Sequence, residues 1–170
     1  MIIAVLRTLL VVTCVTSAAA VASAPRVSMT GFGQVRIGLT IPALERVLGK
    51  KIDPPRDEEE VACRNATAGK LYNNAGLMLL DGHLARVDVV ASGIRTLSGA
   101  SVGDSQASVI ARYGGKIKVE SHKYTGPKGK YLTLYSKDRK YGIRFETDGS
   151  KVIKYYVGTA EAVQFVEGCQ

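Results

Sequence analysis

The sequence predicts an α+β fold in which a short helix followed by antiparallel strands occurs twice in tandem, with one continuous sheet and both helices on one of its faces. The first observation behind this prediction is that segment 37–49 aligns without a gap with segment 102–114. The second is that an Asp-Gly pair between alternating apolar runs follows each of these segments, within 76–89 and 142–155. Two such small units need a shared core to be stable.

The first 24 residues are typical of a secretory signal peptide. Arg7 precedes the apolar run 9–12, and the small residues that follow suit cleavage after Ala20, Ala22 or Ala24. A retained membrane anchor is the alternative, although the apolar run is short for the ~20 residues that a span needs. We therefore expect an exported protein, periplasmic or secreted, with no transmembrane segment after cleavage. The first repeat then covers residues 25–95 and the second covers 96–170.

The two aligned segments each predict a helix of about two and a half turns. Thr40 and Ser105 are placed as N-caps, whose hydroxyls accept a backbone N–H of the first turn. Gly49 and Gly114 fit the left-handed position that ends a helix. Between them, an i, i+4 apolar pair gives each helix one face that must pack on a sheet. These pairs are Leu44 with Leu48 and Val109 with Tyr113.

The strands are predicted from alternation and from turn residues. Asp81-Gly82 and Asp148-Gly149 each lie between alternating runs and predict a hairpin with a tight primed turn, since both residue types tolerate positive φ. The linker between the repeats is expected near residues 91–101. Four further strand candidates are Phe32–Ile37 as an edge strand, Val61–Arg64, Ile117–Glu120 and Tyr131–Tyr135.

Two cysteines lie beyond the signal segment, Cys63 and Cys169. In an oxidising compartment such a pair is most simply a disulfide, which would tie the end of the chain to the first repeat. On the chain-entropy model this bond contributes about 4–5 kcal/mol. Two free thiols are the alternative.

The order of these features resembles a known family. Gly38-Leu39-Thr40 through Gly49, a cysteine-bearing strand and an Asp-Gly hairpin, followed by a looser second copy from Gly103 to Gly114, resemble the beta-lactamase inhibitory protein family. More broadly, the pattern is similar to the outer-membrane assembly lipoproteins of the SmpA/OmlA type. The resemblance implies a fold of helix-plus-sheet units. It does not imply a target, because the shared positions serve capping and packing.

Positive charge and aromatic residues are concentrated in the second repeat. Residues 114–157 contain 11 Lys and Arg against 4 Asp and Glu, whereas residues 25–113 contain 11 against 9. Because alternate residues of a strand share a face, several of these side chains are expected on the face of the sheet that the helices leave open. A surface rich in Tyr and Arg is typical of binding hot spots, although an ordinary solvated face has the same composition. The candidate partner-binding residues are Tyr131, Tyr135, Arg144, Lys123, Tyr124 and Lys154.

These observations favour an exported binding protein over an enzyme. An acidic protein partner fits the charge best, for example a secreted or periplasmic enzyme that the chain inhibits; anionic glycans or lipid headgroups come next, and nucleic acid is the weakest candidate. A role in outer-membrane assembly is the alternative function. An enzyme would need His122 close to Glu120 or Glu146 in a pocket, and the sequence has no motif of a metal site or cofactor site.

Overall fold

A computed structural model describes residues 25–169, and the expected signal peptide at 1–24 lies outside the described residues. The helices are short and the strands predominate. In chain order the elements are β1 Val27–Ser28, β2 Gly31–Phe32, β3 Val35–Arg36, α1 Ile41–Leu48, α2 Glu58–Ala62, β4 Cys63–Thr67, β5 Gly76–Leu80, β6 His83–Val89, α3 Gln106–Tyr113, β7 Lys118–Ser121, β8 Lys130–Tyr135, β9 Tyr141–Thr147 and β10 Val152–Thr159.

The architecture is α+β with one large antiparallel sheet. Its seven strands are ordered β4-β5-β6-β10-β9-β8-β7, and a separate small sheet contains β1, β2 and β3. Strands β6 and β10 are neighbours at the centre, where Tyr155 pairs with Val89 and Val157 pairs with Val87. The strands of both predicted repeats therefore belong to one sheet, which confirms the coarse fold class.

The two Asp-Gly turns differ in detail. Asp81 and Gly82 both have left-handed φ, 46° and 75°, as the tight two-residue turn between β5 and β6 requires. The turn between β9 and β10 is wider, because Thr147 pairs with Val152 and only Gly149 has positive φ. The prediction of a tight primed turn is correct at the first position and wrong at the second.

Each long helix is joined to the following hairpin by backbone hydrogen bonds. Gly38 donates its N–H to the carbonyl oxygen of Leu84 at 2.7 Å, and Gly103 donates to that of Val152 at 2.9 Å. Two further pairs of bonds correspond: Leu84 donates to Leu39 as Val152 donates to Asp104, and Ile41 donates to Gly82 as Gln106 donates to Ser150.

The beginning of β4 and the N-cap of α1 depart from the sequence prediction. Val61 and Ala62 belong to α2, which starts where the side chain of Asp57 accepts the N–H of Glu60 at 2.9 Å. Strand β4 begins only at Cys63. The Ser105 side chain caps α3 by accepting the N–H of Ser108 at 3.1 Å, but the Thr40 side chain makes no capping hydrogen bond.

The segment Phe32–Ile37 is also not an edge strand of the large sheet. It is interrupted by a turn at Gly33, where φ is 58°, so that β2 and β3 pair with each other in the small sheet. Alternation alone suggested one strand, because a two-residue interruption preserves the period of two.

The main apolar core lies against one set of alternating strand positions. Leu44 and Leu48 of α1 and Val109 of α3 are buried in the same cluster as strand residues such as Leu77 and Phe145. The strand positions between these apolar residues point to the other side of the sheet. Over residues 25–169, the helices are all too short to cross a membrane.

Candidate functional site

Several charged and aromatic side chains share the side of the sheet away from the main apolar core. Their position on this side follows from the two-residue period of a strand, since each of these residues alternates with a core residue of the same strand. We call this set the polar face. Its members are Tyr131 and Thr133 on β8, Arg144 and Glu146 on β9, Lys154 and Tyr156 on β10, and Arg86 and Asp88 on β6.

Cations and aromatic rings are stacked across the polar face. The guanidinium of Arg144 lies 4.9 Å from the ring centre of Tyr131, and that of Arg86 lies 4.5 Å from the ring centre of Tyr156. On its other side, the Tyr131 ring is stacked on His122, with 4.3 Å between the ring centres. Such contacts restrict the side chains to single orientations, and the cation–π pairs stabilise them further when they are desolvated.

Glu146 is the buried anion of this network. Its Oε2 lies 2.9 Å from Nε2 of His122, and its Oε1 lies 3.1 Å from Nζ of Lys154 in an ion pair. Only 4% of the Glu146 side chain is exposed, against 35% for Lys154. A buried carboxylate needs this compensation, because an unpaired charge is strongly unfavourable in the interior.

Both ring nitrogens of His122 are engaged. Its Nδ1 accepts the backbone N–H groups of Tyr124 and Thr125 at 3.0 and 3.1 Å, which requires a lone pair on that nitrogen. The proton of the neutral ring therefore lies on Nε2 and is donated to Glu146. His122 thus holds the start of the loop that follows β7 against the buried carboxylate.

The end of the chain crosses part of the polar face. We call residues 160–169 the C-terminal strap. Nη1 of Arg86 donates to the carbonyl oxygens of Ala162 and Phe165 at 3.0 and 2.7 Å, and Arg144 donates to the side-chain oxygen of Gln164. A disulfide then joins Cys169 to Cys63, with 5.3 Å between the Cα atoms. The predicted disulfide is therefore present in the structure.

Burial also changes the acid–base properties of the polar face. Desolvation, and after it the negative charge of Glu146, raises the pKa of Tyr156 above its ordinary value. Desolvation raises the pKa of Asp88 as well, although the ion pair with Arg86, 3.0 Å from Nε to Oδ2, opposes the change. The interior of the face thus disfavours additional negative charge.

The expectation that Tyr131 and Arg144 lie on an open surface is wrong. Only 5% of Tyr131 and 3% of Arg144 is exposed to solvent. Both are on the predicted side of the sheet, but Arg144 is bonded to the strap, and Tyr131 is enclosed between His122 and Arg144. Neither side chain is available as a surface anchor.

The other four predicted residues retain exposed atoms to different extents. The Lys123 side chain is 62% exposed and Tyr124 is 56% exposed, and the ammonium of Lys123 lies 5.3 Å from the Tyr124 ring centre. Lys154 is partly exposed beside Glu146, and the hydroxyl of Tyr135 accepts a hydrogen bond from the side chain of Gln164. Lys123 and Tyr124 are therefore the accessible part of the predicted site.

A shallow groove lies beside these two residues. It has a volume of about 390 Å³ and is lined by Lys123 and by Phe165, Val166, Glu167 and Gly168 of the strap. An ion pair between Lys123 and Glu167, 3.5 Å from nitrogen to oxygen, bridges it. A larger cavity of about 520 Å³ lies at the β4 edge, among Asp53, Arg56, Asp57, Glu60 and the disulfide.

The structure also bears on the hypothesis of a His122 enzyme. His122 contacts Glu146, as that hypothesis required, and not Glu120. However, the side chains of His122 and Glu146 are each only 4% exposed, and the Nδ1 lone pair is already occupied. In this arrangement the pair supports the loop at 122–125.

Sequence reasoning missed Arg86, Asp88, Tyr156 and Gln164. Arg86 and Asp88 alternate with the core residues Val87 and Val89, a pattern that identifies the polar side of β6. No local pattern identifies Gln164, because its contact with Arg144 depends on the path of the strap.

Comparison with known proteins does not assign the chain to a family. No family model matches it, and no curated protein matches it. Among solved structures, it is similar to the uncharacterized protein yfeY from Escherichia coli, with a TM-score of 0.41 and 14% sequence identity over 78% of this chain and 99% of that chain. A likeness of this degree carries no argument about function.

Proposed function

We propose that this chain is an exported binding protein, periplasmic or secreted, that engages an acidic surface of a protein partner. The contact is made at the end of the polar face where Lys123 and Tyr124 are exposed, with Lys154 at its margin. Export is supported by the signal-like residues 1–24 and by the disulfide between Cys63 and Cys169, a bond that persists in oxidising compartments.

The observation that carries this proposal is an exposed cation–aromatic pair mounted on a buried network. Tyr124 is 56% exposed, yet its backbone N–H is bonded to His122, which is itself held by Glu146 and Tyr131. A contact residue whose support is already ordered loses less conformational entropy on binding. Tyr with an adjacent cation is also the composition enriched in hot spots.

Charge supports an acidic partner. Segment 114–130 contains five lysines against the single acidic residue Glu120, and Glu120 is paired with Lys118 at 2.9 Å. A partner with clustered Asp and Glu would gain both association rate and orientation from this field. If the acidic surface borders the active site of a secreted or periplasmic enzyme, binding of this chain inhibits that enzyme.

We also propose that the fold arose by duplication of one helix-plus-hairpin unit, with both helices covering the same side of the sheet. The corresponding backbone bonds of Gly38 and Gly103 to their hairpins support this, as does the presence of Leu44 and Val109 in one core cluster. In this scheme Lys123 and Tyr124 lie where the two units differ, since residues 114–129 between α3 and β8 contain β7, whereas residues 49–62 between α1 and β4 contain α2.

The test measures binding of the purified oxidised protein to polyglutamate, a sulfated glycan, phosphatidylglycerol vesicles and single-stranded DNA. We expect polyglutamate to bind, and Lys123→Glu and Tyr124→Ala each to weaken that binding about tenfold, because each removes one anchor of the pair. Lys70→Glu is the matched control, since Lys70 is an exposed lysine of the first half and its replacement makes the same charge change.

The control variant should bind as the unmodified protein does. Equal binding by Lys123→Glu and Lys70→Glu would exclude the proposed surface. Binding to the glycan, the vesicles or DNA in preference to polyglutamate would replace the acidic protein by that class of partner.

A further inference from the structure

Strand β7 is an unpaired edge of the large sheet. It is the last strand in the order and pairs only with β8, through Lys118 with Thr133, Val119 with Leu132, Glu120 with Tyr131 and Ser121 with Lys130. The pairing continues past the strand end, because the N–H of His122 donates to the carbonyl oxygen of Gly129 at 3.0 Å. The register has no bulge that would turn the edge away.

The register shows which backbone groups are free. In an antiparallel pair, hydrogen-bonded residues alternate with residues whose N–H and C=O point away. Since His122 is bonded to β8, so are Glu120 and Lys118, and the backbone of Val119 and Ser121 points outward. Over residues 25–169, no strand other than β8 pairs with these two residues. They form a template for one further strand.

The side chains of this edge favour an acidic and partly apolar occupant. Val119 is 46% exposed, although its pairing partner Leu132 is fully buried. An apolar residue beside Val119 would therefore extend the apolar side of the sheet. Five lysines lie within or close to this strand in the chain, at positions 116, 118, 123, 128 and 130. They repel the identical β7 edge of a second copy and attract carboxylates.

The other edge of the sheet, strand β4, has a different electrostatic environment. The side chain of Arg64 in β4 donates to the carbonyl oxygen of Asp53 at 2.6 Å, so the segment before α2 is bonded to this strand. Residues 53–60, which include the start of α2, contain five acidic residues against one arginine. The β7 edge and the β4 edge thus have opposite charge, and only the basic β7 edge suits an acidic strand.

We infer that the partner binds as an extended segment of alternating acidic and apolar residues, which adds an eighth strand to the sheet at β7. This inference rests on the proposed function and specifies the partner's form. Backbone hydrogen bonds to Val119 and Ser121 supply the pairing, as in known cases of strand addition. Lys118 and Lys123 then meet the partner's carboxylates, and Val119 meets its apolar side chains.

The experiment uses a short fluorescent peptide that alternates valine and glutamate, and two versions of it that are N-methylated at alternate residues. N-methylation removes the donors from one edge of an extended peptide. We expect one methylated version to bind about tenfold more weakly than the parent and the other to bind as the parent does, because only one edge faces β7.

A protein variant tests the same bonds from the other side. Val119→Pro removes an outward N–H and should weaken binding about tenfold, whereas Val119→Thr keeps the N–H and the branched shape and should bind nearly as the unmodified protein does. The peptide pair does not depend on the folding of a variant, so it decides the question even if the proline variant is destabilised.

The outcomes separate the two proposals. If both methylated peptides bind alike and Lys123→Glu still weakens binding, the added strand is excluded while the acidic partner remains. If none of the peptides binds and polyglutamate does not bind either, both proposals are excluded. If sedimentation shows self-association that reversal of Glu58 and Glu59 abolishes, the occupant is the acidic segment 53–60 of a second copy and the inference is overturned.

Discussion

At the scale of single residues, two neighbouring tyrosines on β10 show how the two sides of the sheet differ. Tyr155 and Tyr156 are 0% and 1% exposed. The hydroxyl of Tyr155, on the apolar side, donates to the carbonyl oxygen of Ile94 at 3.2 Å. The hydroxyl of Tyr156, on the polar face, is buried without a hydrogen bond of acceptable geometry among the described residues. One hydroxyl therefore contributes to stability and the other does not.

This difference predicts unequal effects of the same substitution at the two positions. Tyr155→Phe should lower the free energy of unfolding by about 1 kcal/mol or more, since it leaves the Ile94 carbonyl without its donor. Tyr156→Phe should change it by less than about 0.5 kcal/mol. Chemical denaturation followed by circular dichroism measures both, and each variant is the control for the other. An equal loss in the two variants would show that the Tyr156 hydroxyl also has a bonding partner.

The raised pKa of Tyr156 predicts that the free energy of unfolding depends on pH in the alkaline range. Because burial and Glu146 raise the pKa of Tyr156 in the folded protein, the unfolded chain loses this proton first as the pH rises. The free energy of unfolding is therefore unaffected by Tyr156 ionisation below about pH 10 and decreases progressively above it. Tyr156→Phe should lose less stability than the unmodified protein in that range. A steeper loss in the variant would contradict the raised pKa.

At the scale of elements, the C-terminal strap determines what the polar face presents. It is bonded to Arg86 and Arg144 within the sheet and is linked covalently to Cys63 at the edge. Ala162 and Val163 within it are fully buried. The strap thus converts the middle of a charged face into a closed interior, and the most exposed of the predicted partner-binding residues are Lys123 and Tyr124.

The disulfide is expected to hold the strap and to stabilise the whole chain. It spans 106 residues, and a loop of this length corresponds to a loss of about 4–5 kcal/mol on reduction in the chain-entropy model. Denaturant titration with and without reductant measures this loss. The double variant Cys63→Ser, Cys169→Ser should match the reduced protein. Hydrogen exchange at Ala162 should increase after reduction, and a strap that stays equally protected would contradict its dependence on the disulfide.

At the scale of the molecule, the two halves depend on each other. Strands β6 and β10 from different halves are adjacent at the centre of the sheet, and the buried residues of both long helices belong to one cluster. Either half alone would expose a long central strand and half of the core. Helices of eight residues are marginal without such packing.

We therefore expect neither segment 25–95 nor segment 96–170 to fold alone. Each should show little ordered structure by circular dichroism, and an equimolar mixture should recover the spectrum of the intact protein, because the β6–β10 pairing restores the sheet. Both segments should carry the cysteine-to-serine changes, with the double variant of the intact chain as control. A cooperative thermal transition in one isolated segment would show that it has a sufficient core of its own.

The elements could be predicted from sequence where the determining interactions are local. Ser105 caps α3, and Gly49 ends α1 in the left-handed conformation, with φ of 64°. Alternation correctly placed Tyr131 and Arg144 on the polar side of their strands. The errors occurred where two local signals compete: Val61 has high β-propensity, but the Asp57 cap and the acidic first turn of α2 bring it into a helix.

The strand alternation, the positions of α1 and α3, the cationic second half and the pairing of Cys63 with Cys169 could be predicted from the sequence. They depend on neighbours in the chain or on the two cysteines beyond the signal segment. The exposed members of the polar face and the place of β7 at the end of the sheet depend instead on the packing of distant segments: the strap returns over Arg86 and Arg144, and β7 pairs with β8 alone among the described strands. Exposure is a property of the packed molecule, and no periodicity within one strand encodes it.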